Sequence, residues 1–193
     1  MKLNKKLVLL LAVISLAICI SLIQSTYAKY VTQADANASL TIARWNILVN
    51  NQDVIAESDF SDVITPAFLG STHIKSGVIA PTAEGYFDVT INGENTDVSY
   101  QYSLIATLSD QNTVTDLRIT KYEIEGIEYA YTHGDAISDT VLFNQSDKTI
   151  TIRFHVSWYE NSIDETMDNE ADTLATISGV AAVAVNLHLV QVQ

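Results

Sequence analysis

From Thr149 to Trp158 the chain alternates strictly. Ile150, Ile152, Phe154, Val156 and Trp158 fall on one side, Thr149, Thr151, Arg153, His155 and Ser157 on the other. A period of two sorts side chains onto opposite faces of an extended backbone, so this stretch reads as a half-buried β-strand. The pattern recurs at Tyr86 to Asn92, at Val98 to Leu108 (Tyr100, Tyr102, Leu104 and Ala106 on one face), at Leu117 to Ile124, and at Ser39 to Val49 with Ala43, Trp45, Ile47 and Val49 aligned. The tail from Val180 to Gln193 alternates too, and shorter candidates lie at Ile74 to Ile79 and Ile137 to Phe143. No segment shows a convincing helical period over several turns. Turn signals separate the runs: Asn50-Asn51, Ala80-Pro81, Asn92-Gly93, Ser109-Asp110, Glu125-Gly126, His133-Gly134 and Gln145 to Lys148. Seven or eight short strands without helical crossovers cannot build a parallel sheet, so the expected fold is all-β, an antiparallel β-sandwich.

The N-terminus is of another kind. Lys2, Lys5 and Lys6 precede an apolar run from Leu7 to Ile23, followed by polar Gln24-Ser25-Thr26-Tyr27-Ala28. Charge, apolar core and a small-x-small exit are the order of an export signal, with Thr26 and Ala28 as the positions a signal peptidase inspects. The 17 apolar-run residues are short for a membrane span, so the run is read as a signal helix over residues 1–28. Ala34–Ala36 and Ala36–Ala38 are later, weaker exit sites. Residues 29–38 carry no strong alternation and are expected to be mobile, leaving 39–193 as one sandwich domain.

Charge and cysteine narrow the function. The chain has 10 Lys+Arg and 23 Asp+Glu, a net charge of −13; beyond residue 28 the count is 7 against 23, a net of −16. A basic footprint for nucleic acid is missing, as is one for an anionic membrane surface; membrane contact is expected through the uncleaved signal segment alone. The single cysteine, Cys19, lies in the apolar run, so neither disulfides nor thiolate metal sites are expected after cleavage. The fold must hold by core packing.

Candidate chemistry is sparse. His73, His133, His155 and His188 show no metal-ligand spacing, although His155 and His188 hold outward strand positions that could approach across a sheet. No Gly-x-Ser-x-Gly elbow occurs. The acidic run Asp164 to Asp172 offers Asp164, Asp168, Glu170 and Asp172 as oxygen ligands for calcium. It lacks the alternation and glycine of an EF-hand, and a solvated acidic loop between two strands is the competing reading. Nine tyrosines suit either cross-strand packing or a binding face.

Three segments together resemble TasA/camelysin-type proteins, exported to the surface and biofilm matrix of Gram-positive bacteria through a SipW-type signal peptidase. They are Ser25-Thr26-Tyr27-Ala28-Lys29-Tyr30-Val31-Thr32 with Ala36 to Ile42, the stretch Ile79 to Val89 around Pro81, and Trp158-Tyr159-Glu160-Asn161 with Asn169 to Thr173. The resemblance implies a jelly-roll-like sandwich working as an extracellular matrix or fibre subunit. Some members are described as metallopeptidases, but this sequence offers no zinc-binding motif to carry that over.

The expectation is a secreted, non-catalytic structural protein that self-associates head-to-tail, with no cofactor beyond the calcium candidate. Its mobile segment would donate a strand to a neighbour, anchored by Tyr30 and Val31, with Ala34, Ala36 and Ala38 lying flat. The alternatives are an adhesion module for a sugar or protein and a secreted metallopeptidase.

Overall fold

A computed structural model describes residues 6, 9–20, 42–54, 59–114, 116–159 and 169–192. The chain divides into two units, Met1–Ile42 and Ala43–Gln193. In the first, residues 9–20 form helix α1, whose Leu9, Leu10, Leu11, Val13, Ile14 and Leu16 are exposed. Among the described residues no helix is long and apolar enough to cross a membrane.

The second unit is an antiparallel β-sandwich. Its strands are β1 (Ile47–Val49), β2 (Gln52–Val54), β3 (Asp59–Ile64), β4 (Ala67–Phe68), β5 (Glu84–Asn92), β6 (Tyr100–Leu108), β7 (Leu117–Ile124), β8 (Ile127–Ala130), β9 (Ala136–Val141), β10 (Thr149–Trp158) and β11 (Val183–Gln191). One sheet runs β3-β11-β6-β9. The other runs β2-β1-β5-β10-β7-β8, with β4 also on β5. From β5 onward each strand or hairpin sits in the sheet opposite its predecessor, which is the jelly-roll winding.

The alternation seen in the sequence becomes the core. Phe87, Val89 and Ile91 of β5 pair with Phe154, Ile152 and Ile150 of β10 along a continuous register. Across from them lie Tyr100, Tyr102, Leu104 and Ala106 of β6 and Val183, Val185, Leu187 and Leu189 of β11, all buried. Phe87 and Phe154 stack at 4.9 Å. Two hairpins turn on two-residue loops with both φ values positive, Asn50-Asn51 and Glu125-Gly126. Asn and Gly tolerate that conformation, and its twist matches the flanking strands.

Several expectations need correction. The first strand is shorter than Ser39 to Val49: residues 42–46 are not strand, and Ala43 is exposed. The reason is Arg44, whose carbonyl accepts from Asp97 N–H and Thr96 Oγ1 and whose N–H donates to the Asp97 carboxylate. Residues 74–79 form a loop, because Ser71 Oγ accepts from the N–H groups of His73 and Ile74, a local bond that competes with strand pairing. The acidic stretch is not a plain loop between strands. Its end is helix α2 (Asn169–Ser178), where acids in the first turn suit the helix dipole.

Candidate functional site

Among the described residues β8 and β9 are edge strands, one on each sheet. All four residues of β8 are exposed. Between the two edges opens a groove of about 620 Å³. Ile127 and Tyr129 of β8, Ile124 of β7 and Val141 of β9 give it apolar walls, Tyr102 lies beneath, and Glu125, Asp139 and Asp147 supply three carboxylates. No Lys or Arg is among its lining residues. Tyr129 is held by stacking on Tyr122, ring centres 5.0 Å apart.

Asp139 has a particular position. It pairs in register with buried Tyr102, so it points to the core side of an edge strand, as Asp62 does on β3 opposite Val185. Inward-pointing charge discourages indiscriminate edge pairing. Burial, reinforced by the negative charge of Asp139, pushes the Tyr102 hydroxyl up to about 12.

At the far end of β8 the chain enters the core through Tyr131. Its hydroxyl accepts from Ala106 N–H at 2.9 Å and lies 2.9 Å from both Ala106 O and Asp135 O, to which it donates. Pairing of β9 with β6 stops at Ile105↔Ala136, so Tyr131 completes the edge of β6 where β9 has ended.

The outer face of the larger sheet carries a grid of polar groups. In one row Asp88, Arg153, Glu123 and Glu128 stand in register across β5, β10, β7 and β8; in the next stand Tyr86, His155, Lys121 and Ala130. Arg153 forks onto Asp88 through two bonds of 2.8 and 2.9 Å and lies over the Tyr86 ring at 4.2 Å. The hydrogen bond to Asp88 raises the Arg153 pKa further. Lys121 Nζ donates to Glu128 Oε1, which lowers the Glu128 pKa.

Register explains why this face was not legible. Strict alternation from Leu117 and Ile119 would send Lys121 and Glu123 inward. Instead Val156 pairs with Ile119 and His155 with Lys121, leaving Thr120 as an extra residue. That bulge inverts the phase and re-aims Lys121 and Glu123 outward. The two-residue Glu125-Gly126 loop then fixes Glu128 directly opposite Glu123, a relation that the turn signal alone could have given.

The sequence candidates fall as follows. Thr26, Ala28, Tyr30, Val31, Ala34, Ala36, Ala38, Asp164 and Asp168 lie outside the described residues. Glu170 and Asp172 are in the first turn of α2. His155 and His188 do not meet: they belong to different sheets, both at outward positions, and His188 Nδ1 pairs with Asp59 Oδ1 at 2.7 Å. Of the tyrosines, Tyr100, Tyr102 and Tyr131 are core residues and Tyr129 is exposed.

No protein-family model matches the chain, and no curated protein matches it. Among solved structures, the GH31 alpha-xylosidase from Xanthomonas citri is similar over 77% of this chain at 7% identity, with a TM-score of 0.25. This chain spans 16% of that enzyme's length.

Proposed function

We propose that the chain is a secreted, non-catalytic structural subunit that self-associates head-to-tail into a fibre or biofilm matrix. The observation that carries the reading is the acidic groove between the edge strands β8 and β9. An edge strand offers unpaired backbone donors and acceptors, and an extended segment from another copy can satisfy them by strand addition. The donor in this reading is residues 29–38, released at its start by cleavage after Ala28. The new α-amine and the Lys29 ammonium complement Glu125, Asp139 and Asp147, while Tyr30 and Val31 fill the apolar part and Ala34, Ala36 and Ala38 pass close to the backbone. Donor and acceptor are different surfaces, so the contact propagates rather than closing as a dimer.

The resemblance to TasA/camelysin-type proteins and the signal-like N-terminus support export as the setting, with a signal peptidase as the processing partner. A net charge of −16 beyond residue 28 opposes close packing of subunits, so added salt promotes assembly by screening. Electron microscopy and sedimentation of the processed chain at rising concentration test the reading. Filaments are expected, and deletion of residues 29–38 should abolish them. Filaments that persist in the deletion variant refute the strand-donor role, and a chain that stays monomeric throughout refutes the structural role.

A further inference from the structure

Glu123, Glu128 and His155 bring one ligand atom each to within 4.8 Å of one another. They come from three adjacent strands, β7, β8 and β10, on the outer face of the larger sheet. Two features of this cluster are costly as they stand. Glu123 and Glu128 are directly opposite across the ladder, where like charges repel. His155 Nε2 is shut off from solvent yet makes no hydrogen bond; Glu123 Oε2 lies 3.5 Å away. The two cations at hand leave Glu123 without a hydrogen bond. Arg153 is committed to Asp88, and Lys121 to Glu128.

We propose that Glu123, Glu128 and His155 form a binding site for a divalent transition-metal ion of the zinc class, which takes the place of the Lys121 ammonium on Glu128. Zinc bonds to nitrogen and oxygen are about 2.0–2.1 Å, which puts neighbouring ligands of a tetrahedral site about 3.4 Å apart. The 3.5 Å between His155 Nε2 and Glu123 Oε2 is already that spacing. Glu128 closes the remainder by releasing Lys121, a movement available to a half-exposed side chain. One imidazole with two carboxylates selects a borderline metal over calcium or magnesium, which take oxygen-only shells. The ion joins the edge strand β8 to β7 and β10, and so stiffens one wall of the groove. The Thr120 bulge supplies the site, since without it Glu123 would not share a face with His155.

Zinc titration into the full chain by calorimetry tests this, with hydrogen exchange of the β8 amides as a second readout. The expected result is a His155-dependent equivalent of zinc per chain, with slower β8 exchange when it is bound. His155→Gln and Glu123→Gln should each weaken that equivalent at least tenfold without altering the far-ultraviolet spectrum, because both residues lie on the outer face. Lys121→Met should tighten it by removing the competing cation, and His188→Gln should leave it unchanged. No zinc binding, or binding that survives His155→Gln and Glu123→Gln, overturns the assignment. So does a Lys121→Met variant that binds more weakly than the parent.

Discussion

Tyr131→Phe isolates one hydroxyl in a place where nothing else can replace it. The ring stays: it packs edge-on to Phe154 at 5.3 Å and to Tyr122 at 6.2 Å, contacts that phenylalanine keeps. What goes is the acceptor for Ala106 N–H and the donor shared by Ala106 O and Asp135 O. Ala106 is fully buried, so water cannot take over without opening the sandwich. Leaving a buried amide unpaired costs about 1–3 kcal/mol, and a central value of about 2 kcal/mol lowers Tm by roughly 4–8 °C in a domain of this size. In urea, with m of about 2 kcal/mol/M, the midpoint should fall by roughly 1 M at constant m. Tyr122→Phe is the control, since the Tyr122 hydroxyl makes no hydrogen bond among the described residues. Circular dichroism through a urea series reads both variants. A Tyr131→Phe midpoint within 0.2 M (about 0.4 kcal/mol at that slope) of the parent would show that the hydroxyl does not hold the β6 edge.

Gly93→Ala should destabilise by about 1–3 kcal/mol through overpacking, because a Cβ there would lie 2.6 Å from both Cε1 and the hydroxyl of buried Tyr100; thermal melts read this directly. Stability should also fall at high pH. Burial raises the pKa values of Tyr100, Tyr102 and Tyr131 above the ordinary 10, Tyr102 to about 12. Their contribution is therefore complete below pH 10, where both folded and unfolded chains are protonated, and is lost as the pH climbs towards 12 and the unfolded chain alone releases protons. The urea midpoint followed from pH 9 to 12 should decline across that window, and a flat profile contradicts it.

What was legible in the sequence is what period two can carry. Thr149 to Trp158 and Leu117 to Ile124 are strands with the bounds that their alternation gives, and Asn50-Asn51 and Glu125-Gly126 turn where their chemistry says. Short edge strands were not legible: β2, β4 and β8 have two to four residues, too few to show a period, and they exist because a neighbour offers a ladder. Helix α2 has ten residues, too short for a period to stand out beside the acidic run. The grouping of Glu123 and Glu128 with His155 was hidden by the Thr120 bulge, since a one-residue shift moves every later side chain to the other face. His188 and His155 illustrate the converse. Both were read correctly as outward, but only the sheet assignment shows that outward means opposite directions.

The central claim, head-to-tail strand addition into the β8–β9 groove, is tested most directly by disulfide trapping in a chain that starts at Lys29, which has no cysteine because Cys19 precedes it. Val31→Cys is paired with Thr140→Cys on the groove wall, and in a control with His188→Cys on β11, two strands in from β9 in the same sheet. Under assembly conditions the account predicts a ladder of covalent dimers, trimers and longer species for the groove pair, with little for the control. Filaments that grow without cross-links in the groove pair, or with equal cross-linking in both, would contradict it.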